Sequence, residues 1–281
     1  MERIVYVNGE YLPESRATVS IFDRGLLFAD AVYEVSAILD GQLLDNEAHL
    51  ARLRRSLDEL GMESPLRPDE IVGIQRTLIE RNHIAEGMVY LQISRGVGDR
   101  EFALAPGTAP TLLMFTQARP VRDNPAAKSG LRVITVPDIR WARRDIKTVG
   151  LLGPVLAVRA AKQAGADDAW MVEDGFVTEG SASNAYIVND ESTIITRHLG
   201  SEILHGITRT AILKLCSEGD IALEERPFSV DEALQASEAF ITGASSIVLP
   251  VVNIDGQTIA DGTPGPVSQR LRELYLERAL Q

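Results

Sequence analysis

Lysine is the residue type through which this chain could form a covalent bond to a carbonyl compound, and only four of its 28 basic residues are lysines. Arginine cannot form an imine at any accessible pH, whereas a lysine amine can when its pKa is lowered. Lys147 differs from the other three because it falls in a turn between a predicted buried strand and a predicted apolar helix. On residue type and position alone, a solvated turn lysine explains Lys147 equally well.

Other candidates for reactive chemistry are few. Cys216 is the single cysteine, so an internal disulfide and a zinc-binding thiol cluster are both excluded and no metal site is predicted. A small apolar residue in a helix is the preferred interpretation of Cys216. Lys162 and Lys214 fall in helical patterns and are expected to be solvated, and Lys128 lies in a predicted linker.

The composition is that of an ordinary globular protein. The 281 residues are 45% hydrophobic and 24% charged, which provides an ample core and favours two domains over one. The net charge of −12, with no basic tail to offset it, argues against nucleic-acid binding. No run of about 18 apolar residues predicts a membrane span, and the N-terminus lacks the apolar run of a signal peptide. A cytoplasmic location is expected.

The residue pattern predicts a mixed α+β first half. Asn8-Gly9 between two short apolar runs is typical of a two-residue hairpin turn, so a hairpin is expected at residues 4–12. A leucine at every third or fourth position from Leu50 to Leu60 predicts a helix over 47–60. The other predicted elements are strands at 31–38, 88–94 and 111–117 and a helix at 69–82.

Residues 119–130 carry two prolines and few large apolar groups, which makes them the best linker in the sequence. We therefore expect a smaller α+β domain at 1–118 and a larger C-terminal domain at 131–281 that carries Lys147. Predicted elements of the second domain are strands at 131–136, 193–196 and 239–242, helices over 152–164, from about 206 and from 267, and a hairpin around Asp174-Gly175.

Several segments together resemble a known family. Residues 138–147, followed by Leu151-Leu152, closely resemble the cofactor-lysine segment of the fold-type IV pyridoxal-phosphate (PLP) aminotransferases. The family is matched, in the same order along the chain, by residues 22–25, 30–35, 46–47, 49–53, 177–184, 206–209 and 240–243. The D-amino-acid (D-alanine) aminotransferases are the nearest members. The resemblance implies a two-domain α+β fold with the cofactor at the domain and subunit junction.

The resemblance also implies roles at the cofactor ring. Lys147 would hold pyridoxal 5′-phosphate as a Schiff base, and Glu179 occupies the position of the glutamate that faces the pyridine nitrogen. Without the flanking motif, an exposed carboxylate at the end of a hairpin would be the preferred interpretation of Glu179. Arg140 is expected to hold Glu179 in place without itself contacting the cofactor. His49 is a weaker candidate for such a supporting role, and a satisfied structural histidine explains it equally well.

The expected phosphate site has a physical case of its own. Residues 206–208 open a predicted helix, and the free N–H groups at a helix start bind anions. The turn after residue 243 offers more N–H groups, although Ala244 stands where the family often has threonine. The cofactor-binding residues predicted in this way, by pattern or by resemblance, are Gly206, Ile207, Thr208, Ala244, Ser245, Arg52 and Leu204. Pattern alone allows Thr208 to be a helix cap and favours a solvated Arg52.

Substrate binding by the family depends on a carboxylate trap formed by a tyrosine, an arginine and a histidine. This sequence has Tyr33 and Arg100 in the first two places, and Phe102 where the histidine belongs. A guanidinium alone can still bind a carboxylate at two points, so activity on D-amino acids is expected, with (R)-primary amines as a side activity. Alternatively, Phe102 packs the loop and Arg24 completes the trap.

The implied function is transfer of an amino group from a D-amino acid to a 2-keto acid, pyruvate or 2-oxoglutarate, by a homodimer with ping-pong kinetics. Branched-chain L-amino-acid aminotransferases, (R)-amine transaminases and aminodeoxychorismate lyases share the fold and the lysine, and they stay open as alternatives. A non-catalytic PLP-binding protein is an alternative from another class, disfavoured by the presence of Lys147, Glu179 and Tyr33.

Overall fold

The computed structural model describes residues 2–103 and 107–279, and the chain divides into two units. The first unit consists of Met1–Val121 and Ile146–Gly150, and the second of Arg122–Asp145 and Leu151–Gln281. No described helix is long and apolar enough to cross a membrane.

The segment Ile146–Gly150 departs from the expected domain assignment. The sequence predicts Lys147 in the C-terminal domain, whereas the structure groups this segment with the first unit. The physical reason is that Thr148 forms a β-bridge with Val32, a strand residue of the first unit. The interdomain role of residues 119–130 stays a prediction.

The described part of the first unit contains an antiparallel six-stranded sheet in the order β2-β1-β6-β5-β3-β4. A short 3-10 helix at Glu14–Arg16 follows β2. The elements of this unit are β1 (Ile4–Val7), β2 (Glu10–Pro13), α1 (Arg24–Phe28), β3 (Ala31–Leu39), β4 (Gln42–Leu43), α2 (Asn46–Glu59), α3 (Pro68–Arg81), β5 (Gly87–Ser94) and β6 (Thr111–Ala118).

Local sequence accounts for much of this unit. The predicted hairpin is confirmed: Asn8 and Gly9 both have positive φ (46° and 102°), as the tight turn between β1 and β2 requires. The leucine stripe of α2 is also confirmed, because Leu50, Leu53 and Leu57 are buried in one cluster with residues of β3, β5 and β6. The predicted strands and the helix α3 occur within two residues of their expected limits.

A buried ion-pair cluster joins β3 to α2. The Glu34 carboxylate accepts hydrogen bonds from Arg52 at both oxygens (2.7 and 2.8 Å) and lies 2.8 Å from His49 Nδ1. Its side chain is only 2% exposed. Burial by itself raises the carboxyl pKa, but the Arg52 guanidinium and the hydrogen bonds from Arg52 and His49 outweigh burial and lower the pKa of Glu34 to about 2. The expectation of a solvated Arg52 is therefore wrong.

The described part of the second unit contains a mixed nine-stranded sheet in the order β12-β11-β10-β13-β14-β7-β8-β9, with β15 beside β14. Its elements are α4 (Ala126–Ser129), β7 (Leu131–Pro137), α5 (Leu152–Gln163), β8 (Asp168–Glu173), β9 (Phe176–Gly180), β10 (Asn184–Val188), β11 (Ile194–Thr196), α6 (Ile207–Glu218), β12 (Leu223–Glu225), α7 (Val230–Leu234), β13 (Glu238–Gly243), β14 (Ile247–Ile254), β15 (Gln257–Thr258) and α8 (Pro266–Ala279).

Two buried strands of this sheet are not predicted by the residue pattern. β10 is buried at every position, so it shows no alternation of polar and apolar residues. β14 contains Pro250, which argues against a central strand. The structure accommodates Pro250 because β7 pairs with β14 only from Val251 onward. Pro250 therefore pairs with β13 on one side and with no strand on the side of β7.

We predict that Glu34→Gln lowers the free energy of unfolding by about 3–5 kcal/mol at pH 7, because it removes the negative charge that offsets the buried Arg52 guanidinium. The folded-state pKa of Glu34, about 2, is below its ordinary 4.5. The stabilisation by Glu34 is therefore fully present above pH 4.5 and is lost as the pH falls toward 2. Urea unfolding of both proteins at pH 7, 5, 4 and 3 measures this difference.

The matched control is Glu14→Gln, which breaks the half-exposed ion pair between Glu14 and Arg3. Because solvent screens such pairs, this variant should lose less than about 1 kcal/mol. An equal loss for the two variants, or a Glu34→Gln effect that does not shrink in acid, would contradict the role assigned to the buried cluster.

Candidate active site

Lys147 is anchored through its backbone to the edge of β3. Strand β4 covers that edge only at Ile38 and Leu39, so the start of β3 is open on this side. There the N–H of Tyr33 donates to the Lys147 carbonyl at 3.0 Å, and the N–H of Val149 donates to the Ala31 carbonyl at 3.1 Å. These bonds fix the backbone of the predicted cofactor lysine.

The Lys147 side chain lies beside Tyr33. Its Nζ atom is 4.1 Å from the centre of the Tyr33 ring, within the range of a cation–π contact. Tyr33 points away from α2 because side chains alternate along β3 and its neighbour Glu34 faces that helix. In contrast, the other three lysines, Lys128, Lys162 and Lys214, are exposed as expected.

Glu179 is a buried carboxylate at the end of β9. Arg140 Nη1 donates to Oε1, and Oε2 accepts from the Asn184 amide at 3.1 Å and from the Leu204 N–H at 3.1 Å. Burial raises the pKa of Glu179, and the guanidinium of Arg140 opposes that rise by favouring the ionised form. Glu179 is therefore not the exposed carboxylate that would be expected without its flanking motif, because Arg140, Asn184 and Leu204 bind it in a buried position.

Arg140 reaches Glu179 from a position fixed by Asp138. The Asp138 side chain accepts from Arg140 Nε at 2.9 Å and from Arg140 Nη2 at 2.6 Å, and it also accepts from the Thr178 hydroxyl at 2.7 Å. Burial raises the pKa of Asp138, but the hydrogen bonds of Arg140 and Thr178 outweigh burial and lower it. Asp138 is not among the residues predicted from the sequence. An acidic residue at a strand end, two positions before an arginine, is the signal that could have found it.

Asn184 connects Glu179 to the start of helix α6. Its amide also donates to the Leu204 carbonyl at 3.0 Å. Its Oδ1 atom would lie 2.0 Å from a Cβ placed on Gly206, so only glycine allows this approach. Gly206 is the N-cap of α6 and supplies no side-chain cap, which leaves the first N–H groups of the helix available to an anion.

The turn between β13 and β14 lies next to Asn184, because Asn184 pairs with Thr242 in the sheet. A Cβ placed on Gly243 would lie 2.8 Å from Ser246 Oγ and 3.3 Å from the Ala182 carbonyl. The buried Ser183 Oγ, in the same segment as Ala182, has no hydrogen-bond partner among the described residues. Free N–H groups at α6 and an unsatisfied hydroxyl in the neighbouring segment fit an anionic group such as a phosphate.

The remaining cofactor-site predictions are placed as follows. Thr208 is buried in the first turn of α6 and does not cap it, because the N-cap is Gly206. Leu204 is partly exposed just before α6, and its backbone N–H binds Glu179. Ala244 and Ser245 lie in the turn between β13 and β14. A direct phosphate contact by Arg52, whose guanidinium binds Glu34 in the first unit, stays a prediction.

The predicted carboxylate-trap residues occur on α1, β3 and the loop after β5. Arg24 is buried and donates to Asp30 Oδ2 at 2.9 Å and to the carbonyls of Glu101 and Phe102 at 2.6 and 3.4 Å. Arg24 therefore holds the loop that carries Arg100 and Phe102. Its binding of a substrate carboxylate stays a prediction, and a substrate would have to replace these partners.

Arg100 and Phe102 both contact Phe28. The Arg100 guanidinium carbon lies 5.7 Å from the centre of the Phe28 ring, and the rings of Phe28 and Phe102 are 5.6 Å apart. Phe102 is nevertheless 85% exposed, so most of its ring faces outward.

Within residues 2–103 and 107–279, no group of three or more acidic, histidine or cysteine side chains could hold a metal ion.

The chain is similar to known D-alanine aminotransferases over nearly its whole length. It is 37% identical to the D-alanine aminotransferase of Bacillus licheniformis over 270 residues, which cover 95% of this chain and 94% of that protein. It is 36% identical to the D-alanine aminotransferase of Staphylococcus aureus (strain MSSA476), with 97% and 96% of the two chains covered.

Solved structures show the same fold. The T.th. branched-chain amino acid aminotransferase with pyridoxamine 5′-phosphate superposes with a TM-score of 0.91 at 26% identity, covering 99% of this chain and 94% of that chain. Residues 31–254 match the family described as Amino-transferase class IV. With a family match over most of its length and relatives this similar, the chain belongs to Amino-transferase class IV.

Proposed function

We propose that this protein is a PLP-dependent aminotransferase that moves an amino group from a D-amino acid to a 2-keto acid, pyruvate or 2-oxoglutarate. The observation that carries the proposal is the buried Glu179 carboxylate, which Asn184 joins to the glycine-capped start of α6. A partner for a ring nitrogen and a site for a phosphate thus occur together. The similarity to D-alanine aminotransferases supports a donor of the D configuration.

Pyridoxal 5′-phosphate is the cofactor in this proposal. The unsatisfied Ser183 hydroxyl and the N–H groups at the start of α6 fit its phosphate, and Glu179 fits its pyridine nitrogen. When bound, the cofactor supplies a conjugated ring that takes up the electrons released as the α-C–H bond of the substrate breaks. The pyridoxamine 5′-phosphate in the T.th. enzyme supports this choice.

The residues of this chain would have the following roles in the reaction. Lys147 Nζ would provide the covalent attachment point, and once the donor amine has released it, Nζ would take up the substrate α-proton and deliver it to the cofactor carbon to which Lys147 had been attached. The Tyr33 ring lies against Nζ. Glu179 holds the proton on the pyridine nitrogen. Arg140, fixed by Asp138, keeps that carboxylate in place.

We predict that the protein uses D-alanine and D-glutamate, but not L-leucine or L-glutamate, with pyruvate or 2-oxoglutarate as acceptor. A donor panel with chromatographic detection of the amino-acid products measures this selectivity. L-Leucine is included because the T.th. structure is that of a branched-chain enzyme. Turnover of the L-donors alone would show that the proposed substrate class is wrong.

The same panel is run on two lysine variants. Lys147→Ala should lose essentially all turnover, because no other described lysine lies beside Tyr33. Lys162→Ala, which changes an exposed lysine on α5, should retain wild-type rates. If the wild-type protein turned over none of the donors with either acceptor, the chain would be a PLP-binding protein and not an enzyme.

A second prediction concerns Phe102, whose exposed ring offers no donor to a carboxylate. Phe102→His should raise kcat/KM for D-alanine by about tenfold, the effect of one added hydrogen bond to a charged group, and should lower it for (R)-1-phenylethylamine. Phe102→Leu is the control, since it changes the shape of the side chain without adding a donor. No change with either donor would assign Phe102 to loop packing alone.

We also propose that the protein is a homodimer. Leu152, Val155 and Leu156 are exposed at helical spacing on α5, and Trp141 is also exposed. An apolar helix face of this kind is typical of a protein interface, and the partner proposed for it is a second copy of the chain. A cytoplasmic location stays a prediction from the sequence.

Light scattering after gel filtration tests the dimer. The wild-type protein should have twice the mass of the chain, and Leu152→Glu with Val155→Glu should shift it toward the monomer, because charges at an apolar interface are desolvated without partners. Lys162→Glu on the same helix should remain dimeric. A wild-type protein that is monomeric at micromolar concentration would contradict the proposal.

A further inference from the structure

Arg272 is a buried cation on the C-terminal helix α8 with no role so far. Arg272 is only 7% exposed. Its guanidinium donates to the carbonyls of Ser246 at 2.7 Å, Val248 at 2.9 Å and Arg122 at 3.2 Å. Burial disfavours the charged form and lowers the pKa of Arg272. An apolar side chain would avoid that desolvation, so the position requires a reason other than packing.

The two shorter bonds flank a residue in an unfavourable backbone conformation. Ile247 has φ of 61°, in the left-handed region, and its side chain is fully buried. Glycine is the usual residue in this conformation, and for a β-branched residue it is a clear outlier that persists only when the surroundings impose it. Arg272 binds the Ser246 carbonyl, in the peptide plane that precedes Ile247, and the Val248 carbonyl, in the peptide plane that follows Val248, so it holds the backbone on both sides of Ile247.

The orientation of those planes determines the shape of the turn between β13 and β14. Gly243 pairs with Ile247 across the turn, which leaves Ala244, Ser245 and Ser246 as its connecting residues. A peptide plane carries its carbonyl and the next N–H in opposite directions, so fixing the Ser246 carbonyl also fixes the direction of the Ile247 N–H, at the end of the turn.

We propose that Arg272 is a positioning residue that sets the turn between β13 and β14 for the cofactor phosphate. This inference rests on the proposed cofactor and on the prediction from the sequence that Ala244 and Ser245 of this turn bind its phosphate. Arg272 acts through the backbone of Ser246 and Val248 and does not itself touch the ligand. Its loss should therefore weaken recognition of the phosphate group and not recognition of the pyridine ring.

The test compares two ligands that differ only in the phosphate. Apo-protein prepared from the wild type, Arg272→Met and Arg272→Lys is titrated with pyridoxal 5′-phosphate and with pyridoxal, and binding is followed by absorbance. In Arg272→Met the affinity for pyridoxal 5′-phosphate should fall by about tenfold or more, because the turn loses hydrogen bonds that keep it ordered. The affinity for pyridoxal should change by less than about threefold. Arg272→Lys, which keeps the charge and can donate to fewer carbonyls at once, should give an intermediate ratio.

Arg278→Met is the matched control, because Arg278 lies on the same helix and forms an exposed ion pair with Glu218. Its two affinities should equal those of the wild type. An unchanged ratio of the two affinities in both Arg272 variants, whether both ligands weaken equally or neither does, would overturn the proposal and assign Arg272 to packing of α8. Failure of the wild-type protein to bind pyridoxal 5′-phosphate would instead overturn the proposed cofactor, and this inference with it.

Discussion

The desolvation of buried carboxylates is the constraint on which both units of this structure depend. A carboxylate removed from water is tolerated only when donors satisfy it, and the described part of each unit contains such groups. In the first unit, Arg52 and His49 of α2 bind Glu34 of β3. In the second, Arg140 and Asn184 bind Glu179 at the end of β9. Removing either carboxylate takes away a negative charge that offsets a buried guanidinium.

The two carboxylates differ in how strongly their surroundings favour the ionised form. Arg52 binds Glu34 at both oxygens, and the pKa of Glu34 is lowered to about 2. Arg140 divides its donors between Glu179 and Asp138, so burial dominates and the pKa of Glu179 is raised. A carboxylate with greater proton affinity is the better hydrogen-bond partner for a protonated ring nitrogen. The first arrangement suits stability and the second suits the proposed chemistry.

Backbone interactions position most of the functional groups. Lys147 is fixed by pairing with the open edge of β3, and the start of α6 is fixed by the approach of Asn184 to Gly206. The turn after β13 is held by Arg272 through carbonyl groups. Because these contacts use main-chain atoms, the amino-acid types of the segments reveal little about them.

Much of the fold could be predicted because its signals are local. The Asn8-Gly9 turn and the leucine stripe of α2 depend on conformational preferences within a few residues, and both occur as expected. β10 could not be predicted because a strand buried on both faces shows no periodicity, and β14 could not because Pro250 argues against a central strand. Arg52 lies off the leucine stripe, and only the position of Glu34 on the neighbouring strand explains its burial.

The sequence by itself determined the family, the lysine expected to bind the cofactor and the glutamate expected to face its ring nitrogen. These depend on residue types in a fixed order along the chain. Only the tertiary structure decided that Lys147 pairs with β3 of the first unit, that Arg24 binds the loop after β5, and that Asp138 holds Arg140 in place. The physical reason is that these contacts join residues through strand pairing and burial. Their free energies depend on which segments are neighbours in space, which no short stretch of sequence encodes.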